Sequence, residues 1–183
     1  QGYSSAASDV YKRQPEFRVS INLSYVQILK SPLMMELKQM IDHSGISCSG
    51  IIVELTESGY LEGTPAVRSV WNDMKQLRIQ IALDDFGTGY SNLMNISNLE
   101  PDIVKLDRGF TLKALSRSYE YQLMQYVIEM VHKLNQYVCV EGVETKEDLE
   151  KIKALGPDLI QGYYYSKPCS RNEFLKKFFC YSE

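Results

Sequence analysis

The feature that most restricts this fold is a rhythm that begins after Pro15. Short apolar, β-branched runs alternate with longer stretches of helical period. The runs cover 17–23, 51–55, 79–83, 103–106, 137–140 and, more weakly, 158–160. Between them, 32–43 carries Leu33, Met34, Leu37, Met40 and Ile41, the stripe of a helix packed on one face. The stretch 66–77 repeats the pattern with Val67, Val70, Trp71, Met74 and Leu77, and 121–134 does so with Leu123, Tyr126, Val127, Met130, Val131 and Leu134. Thr145 with Asp148 reads as the cap of a further helix that stops at Gly156-Pro157, and a last helix is expected over 170–179. Strands alternating with helices mean βαβ units and a parallel sheet. About six units fit where a full (β/α)8 barrel takes eight and about 250 residues, so an incomplete TIM-like barrel of α/β class is expected, its absent quarter preceding this chain. A complete doubly wound sheet is the alternative. It would carry a Gly-rich turn after its first strand, and Asn22-Leu23-Ser24 is not one.

Residues 1–14 stand apart, being small and polar with no sustained apolar period. They read as a leader foreign to the domain, of the kind that adapter read-through leaves at the end of an assembled sequence. A natural linker is the alternative. The domain is taken as 15–183.

Bulk properties narrow the function. The chain has 183 residues, 44% of them hydrophobic, a net charge of −3 and a pI of about 5.5. That suits one globular domain or part of a larger one. There is no basic excess to bind a nucleic-acid polymer or an anionic membrane, so an anionic ligand would need metal ions or a few local cations. Cys48, Cys139, Cys169 and Cys180 form no C-x-x-C pair and read as reduced, mostly packing cysteines of a cytoplasmic protein. His43 and His132, both in helical stretches, exclude a histidine-rich metal site. No apolar run approaches the roughly 20 residues of a membrane span, and the N-terminus carries no signal pattern.

Nearly every strand candidate ends in a polar residue able to bind a metal or move a proton. These are Asn22, Glu54, Asp84-Asp85, Lys105 with Asp107, Glu141 with Glu144, and Gln161. In a barrel the C-terminal strand ends converge on one mouth. The set is rich in oxygen and lacks histidine, which points to hard cations, Mg²⁺ or Mn²⁺. Adjacent acids suit two ions about 3.5–4 Å apart, the arrangement that stabilises attacking and leaving oxygens in phosphoester cleavage.

Each residue also has a plain structural reading. Asn22 could lead into a helix cap. Glu54-Leu55-Thr56-Glu57 could be a capping box or a solvated turn. The run 84–89 could be a tight turn, Lys105 could snorkel to a rim, and Glu141 could be an ordinary strand-end charge. Gln161 alone is a weak signal. Tyr163, Tyr164 and Tyr165 read as packing, and the Met-rich helix from Met34 to Met40 reads as core. What resists these readings is the joint occurrence of the polar set at successive strand ends.

Six segments carry a resemblance to a known family. They are Ser20-Ile21-Asn22-Leu23-Ser24, Glu54-Leu55-Thr56-Glu57, Asp84-Asp85-Phe86-Gly87-Thr88-Gly89-Tyr90-Ser91, Val104-Lys105-Leu106-Asp107, Val140-Glu141-Gly142-Val143-Glu144-Thr145, and Gln161-Gly162-Tyr163 with Pro168. In this order and spacing they resemble the motif series of EAL domains. The resemblance implies a modified (β/α)8 barrel that hydrolyses cyclic di-GMP to linear pGpG with two Mg²⁺ or Mn²⁺ ions. It implies that Asn22, Glu54 and Asp84 bind one ion, and that Asp84 bridges to a second held also by Asp85 and Glu141. Lys105 would contact the attacking water. Glu57 would anchor the loop through Gly87 and Gly89, coupling metal binding to dimerisation, and Gln161 would line the site with Asp107 and Glu144 in support. A homodimer is implied, with a sensory or diguanylate cyclase domain upstream and any membrane tether outside this segment.

The family's own Glu-Ala-Leu motif, which supplies another metal ligand and a nearby phosphate-binding arginine, does not precede Phe17. The chain by itself is therefore expected to be inactive, the parent active. Two other readings compete. One is a catalytically inactive EAL module that binds the nucleotide or a protein partner. The other is an enolase- or aldolase-type barrel lyase with Lys105 as base, which the ordered motifs fit poorly.

Overall fold

The protein is described by a computed structural model covering residues 17–29, 32–56, 64–88, 96 and 99–179. Expectations for residues 1–14, Glu57, Gly89 and Cys180 lie outside the described residues. Six strands form one sheet: β1 (Val19–Leu23), β2 (Ile51–Thr56), β3 (Gln80–Phe86), β4 (Ile103–Leu106), β5 (Tyr137–Val140) and β6 (Leu159–Ile160). The helices are α1 (Tyr25–Leu29), α2 (Leu33–Ser44), α3 (Pro65–Gln76), α4 (Arg108–Ser116), α5 (Ser118–Lys133), α6 (Lys146–Lys153) and α7 (Arg171–Phe179).

The strands lie side by side in sequence order, and every neighbouring pair is parallel. Sequential order is barrel winding. A doubly wound sheet reverses direction at a switch point, so that alternative falls, and the TIM-like α/β arrangement is the one observed. Burial on both faces explains why the central strands read as continuous apolar runs rather than alternating ones. In β2 Ile51, Ile52, Val53, Glu54 and Leu55 are all buried.

The two faces of the sheet hold two separate cores. The larger joins the helices to the sheet, with Val53, Ile81, Leu83, Val104, Val138 and Val140 meeting Met74, Met124, Ile128 and Ile152. The smaller is a single layer made of Ile52, Ala82, Ile103 and Cys139. Side chains alternate along a strand with period two. The residues two positions further along that layer's face are therefore Glu54, Asp84, Lys105 and Glu141. The inner face is thus apolar at one level and charged at the next.

Register at the opposite end is held by a repeated device. Pro-Asp precedes both β4 and β6. The Asp102 amide donates to Ile81 O, and its carboxylate accepts from Ile81 N at 2.8 Å. Asp158 treats Val138 in the same way, its carboxylate accepting from Val138 N at 2.7 Å. Helix starts are also locally encoded. Thr64 caps α3 with Pro65 in its first turn, and Thr145 with Asp148 forms the expected capping box on α6.

Several details differ from the sequence reading. β3 extends through Phe86, so Asp84 and Asp85 lie inside the strand. Helix α4 was not anticipated, and α1 only through the cap reading at Asn22. Each is short, and the buried stripe of α4 mixes Phe110 and Ala114 with Thr111. Of the methionines of α2, Met34 packs against the core while Met35 and Met40 are exposed, and Leu37 and Ile41 are buried. On α5 the buried face is Met124, Ile128 and Val131, with Leu123, Tyr126 and Leu134 exposed. Both stripes had helical spacing, and only the sheet's position selects between them. His43 and His132 sit exposed in the last turns of α2 and α5, as expected. No described helix is long and apolar enough to cross a membrane.

Replacing Asp102 with alanine orphans Ile81 N at the start of β3. Chemical denaturation should show a loss of about 1–3 kcal/mol, with little change in far-UV circular dichroism.

Candidate active site

The charged level of the inner face centres on Lys105. Its Nζ lies 2.9 Å from Glu54 Oε2, 2.9 Å from Asp84 Oδ1 and 2.7 Å from Glu141 Oε1. The lysine side chain is only 6% exposed and that of Glu54 9%, so this is a buried cluster and not a rim of surface charge. Snorkelling is excluded. Burial works against the ammonium, but contact with Glu141, Glu54 and Asp84 outweighs it and holds Lys105 well above the ordinary lysine range. Its proton is therefore firmly held at neutral pH.

The carboxylates respond unequally. Burial pushes Glu141 above the ordinary glutamate range even though Lys105 sits against it and pulls the other way. Asp85 is raised as well, by burial first and then by the charges of Asp84 and Asp107. In both, burial is the larger influence, and the neighbouring acids add to it. Cys139, one level below, has its thiol pushed up to about 12 by burial and by Glu141, which makes it a packing residue without nucleophilic character.

A bulge brings the two adjacent acids together. Between β3 and β4 the register shifts, with Leu83 opposite Val104 but Phe86 opposite Leu106. Two residues, Asp84 and Asp85, thus face the single residue Lys105. Asp85 takes a left-handed conformation at φ 60°. In a regular strand neighbouring side chains point to opposite faces. A bulge re-aims one of them, and Asp is among the few residues that accept positive φ.

The other expected residues are distributed around this centre. Asn22 on β1 is opposite Glu54 in register, and its side chain is exposed. Gln161, just past β6, is also exposed, and its amide donates to Val140 O. Asp107 caps α4, with Oδ1 accepting from Gly109 N at 2.7 Å and Phe110 N at 3.3 Å. Gly87, at φ 104°, leaves no room for a Cβ against the Phe110 ring. Glu144 is held by Arg108 at 2.7 Å. Tyr163, Tyr164 and Tyr165 are exposed, contrary to the packing expectation. Cys169 is exposed too, so packing describes Cys139 but not this thiol. The sequence reading passed over Arg108. The signal available was a cation immediately after a strand-end acid.

The donor set tests whether cations fit. All the converging groups are hard oxygens, the chemistry of Mg²⁺ and Mn²⁺ sites. Asp84 Oδ1 is fully buried, and its 2.9 Å approach to Lys105 lacks hydrogen-bond alignment, so an acceptor there has spare capacity. Among the described residues no three acids, histidines or cysteines stand as a ready-made ion cage. The ammonium of Lys105 occupies the point where their charges meet. The residues fit cations in chemistry, and loading them would require this cluster to open.

Two expectations follow. Lys105→Met leaves one buried and two partly buried carboxylates without their counter-charge, so the divalent-free protein should lose about 3 kcal/mol of stability in denaturant. Asp85→Asn should act the other way. A raised folded pKa means the acid contributes fully below its unfolded value, about 3.9, and costs stability once pH rises through the folded value. Without divalent ions the variant should match the wild type in acid and be the more stable protein at neutral pH, as thermal melts across pH would show.

Comparison with known proteins bears on what such a centre does. A protein-family model described as "EAL domain" matches residues 4–168. The cyclic di-GMP phosphodiesterase PdeF of Escherichia coli (strain K12) is 31% identical over 156 residues, which are 85% of this chain and 21% of PdeF. The solved structure of the EAL enzyme Bd1971, in a cAMP and cyclic-di-GMP bound form, matches with a TM-score of 0.87 and 27% identity, covering 95% of this chain and 48% of that one. BlrP1 of Klebsiella pneumoniae, solved in a manganese/cyclic di-GMP complex, shares the fold with a TM-score of 0.84 and 24% identity, over 93% of this chain and 43% of that one. This chain spans about a fifth of PdeF and under half of either solved chain.

Proposed function

The chain belongs to the EAL domain family, and from that premise we propose that it forms the catalytic mouth of a phosphodiesterase that cuts cyclic di-GMP to linear pGpG with Mg²⁺ or Mn²⁺. The observation that carries this reading is the buried Lys105 cluster above the Asp84-Asp85 bulge. A cyclic dinucleotide brings two phosphodiester charges. An acidic mouth with one paired ammonium would repel it, so cations must enter the account.

In this reading Asn22, Glu54, Asp84, Asp85 and Glu141 would be the residues that hold the ions. Bound there, divalent cations supply Lewis acidity towards a phosphodiester and a lowered pKa for a water molecule. The remaining work belongs to the chain. Lys105, released from part of its carboxylate contact, donates hydrogen bonds that orient the attacking water. In this role it acts as an ammonium donor, whereas a lyase would need it as a general base. Glu141 and Asp85 stay ionised more readily once their excess charge is compensated. The apolar layer of Ile52, Ala82, Ile103 and Cys139 closes the floor and excludes bulk water from below. Gln161 and Glu144 border the mouth. The family resemblance further supports a cytoplasmic homodimer governed by an upstream sensory or cyclase domain.

The test is conversion of cyclic di-GMP to pGpG by the intact protein with Mg²⁺ or Mn²⁺, beside Asp84→Asn. The variant should lose about a hundredfold or more in turnover, near 3 kcal/mol of transition-state stabilisation. Turnover indifferent to Asp84→Asn would refute the site. Nucleotide binding without turnover in either metal would refute the enzyme and leave a binding module.

A further inference from the structure

Glu141 enters the cluster from a turn, not from a strand. β5 ends at Val140, and Glu141, Gly142, Val143 and Glu144 lie in the connection to α6. A carboxylate on a connection needs something to hold it, and this connection is gripped from two sides. On one side its backbone follows the sheet. Glu141 N donates to Leu106 O at 3.1 Å, Val143 N to Gln161 O at 3.3 Å, and Tyr164 N to Val143 O at 3.0 Å. Gly162 lies so close on the Val143 backbone that a Cβ there would overlap Val143 O and N.

The other side is covered by one residue. Gly142 has φ 79°, and a Cβ on it would overlap Arg108 Cγ and crowd Arg108 Cβ. The aliphatic stem of Arg108 therefore lies directly on the Gly142 backbone. The guanidinium continues past it to Glu144, with Nη2 at 2.7 Å and Nε at 3.2 Å from Oε1. Arg108 is itself fixed at the first position of α4, whose start is locked by the Asp107 cap.

We propose that Arg108 is a positioning residue for Glu141, clamping the 141–144 turn through its stem on Gly142 and its fork on Glu144 so that Glu141 meets Lys105 and, when present, a cation. The ion pair alone is weak, because the Arg108 side chain is 57% exposed and that of Glu144 38%. The clamp is worth more because packing and ion pair act on the same few residues. Only the metal readout below rests on the phosphodiesterase reading.

The experiment uses the intact protein with Arg108→Ala, Arg108→Lys, Gly142→Ala and the Arg108→Ala/Gly142→Ala double variant. Amide exchange is read without divalent ions, and Mn²⁺ affinity by calorimetry. Arg108→Ala should speed exchange at Glu141 and Val143 selectively and weaken Mn²⁺ binding about threefold to tenfold. Arg108→Lys, which keeps the stem, should fall between. Gly142→Ala should act in the same direction, and its effect should shrink when Arg108 is already alanine, since the overlapping stem is gone. Four results overturn the proposal: unchanged exchange at those two amides, a loosening equal across the whole protein, faster exchange with unchanged Mn²⁺ affinity, or strict additivity in the double variant. A wild-type protein that binds no Mn²⁺ sinks the metal reading instead, and exchange with the double-variant coupling then decides the clamp.

Discussion

The interaction on which the inner face depends is the contact of one buried ammonium with three carboxylates. Lys105 would be prohibitively costly to bury alone, and Glu54, Asp84 and Glu141 would repel one another without it. The four come from three successive strands and the turn after the next one, so they meet only when the sheet is wound in sequence order. The layer below them is wholly apolar. That arrangement sharpens the electrostatics, because a low-dielectric floor leaves the charges little to interact with except each other. An internal cation at the crossing point is also what keeps this cluster tolerable before any external one arrives.

The bulge at Asp84 and Asp85 solves a problem that strand geometry creates. Successive strand residues face opposite ways, so two adjacent acids cannot normally serve one site. One extra residue in β3, with Asp85 at positive φ, places both opposite Lys105. The local conformation is strained for most residues and mild for Asp. Strain of this kind tends to sit where a side chain must be re-aimed for function. The pKa of Asp85 is raised first by its burial there and then by the charges of Asp84 and Asp107.

Much of this was legible beforehand. Four strands in six were located nearly to the residue because buried parallel strands are unbroken apolar runs, and the capping box at Thr145 and Asp148 is a purely local signal. The misplaced features share a cause. Leu123, Tyr126 and Leu134 make as good a helical stripe as Met124, Ile128 and Val131, and only the neighbouring sheet chooses. In α2 the expected stripe held at Leu33, Met34, Leu37 and Ile41 and failed at Met40 for the same reason. Arg108 went unnoticed because its partners, Gly142 and Glu144, lie on a different connection.

The sequence by itself determined the strand–helix alternation, the parallel sheet it requires and the identity of the polar residues at each strand end. These follow from local periodicity, which each segment carries within itself. Tertiary structure alone decided that Glu54, Asp84 and Glu141 share a single lysine, that a bulge sets Asp84 and Asp85 together opposite it, and that Arg108 lies across the turn bearing Glu141. Those are relations between segments, set by register, twist and close approach of backbones, and no single segment encodes them.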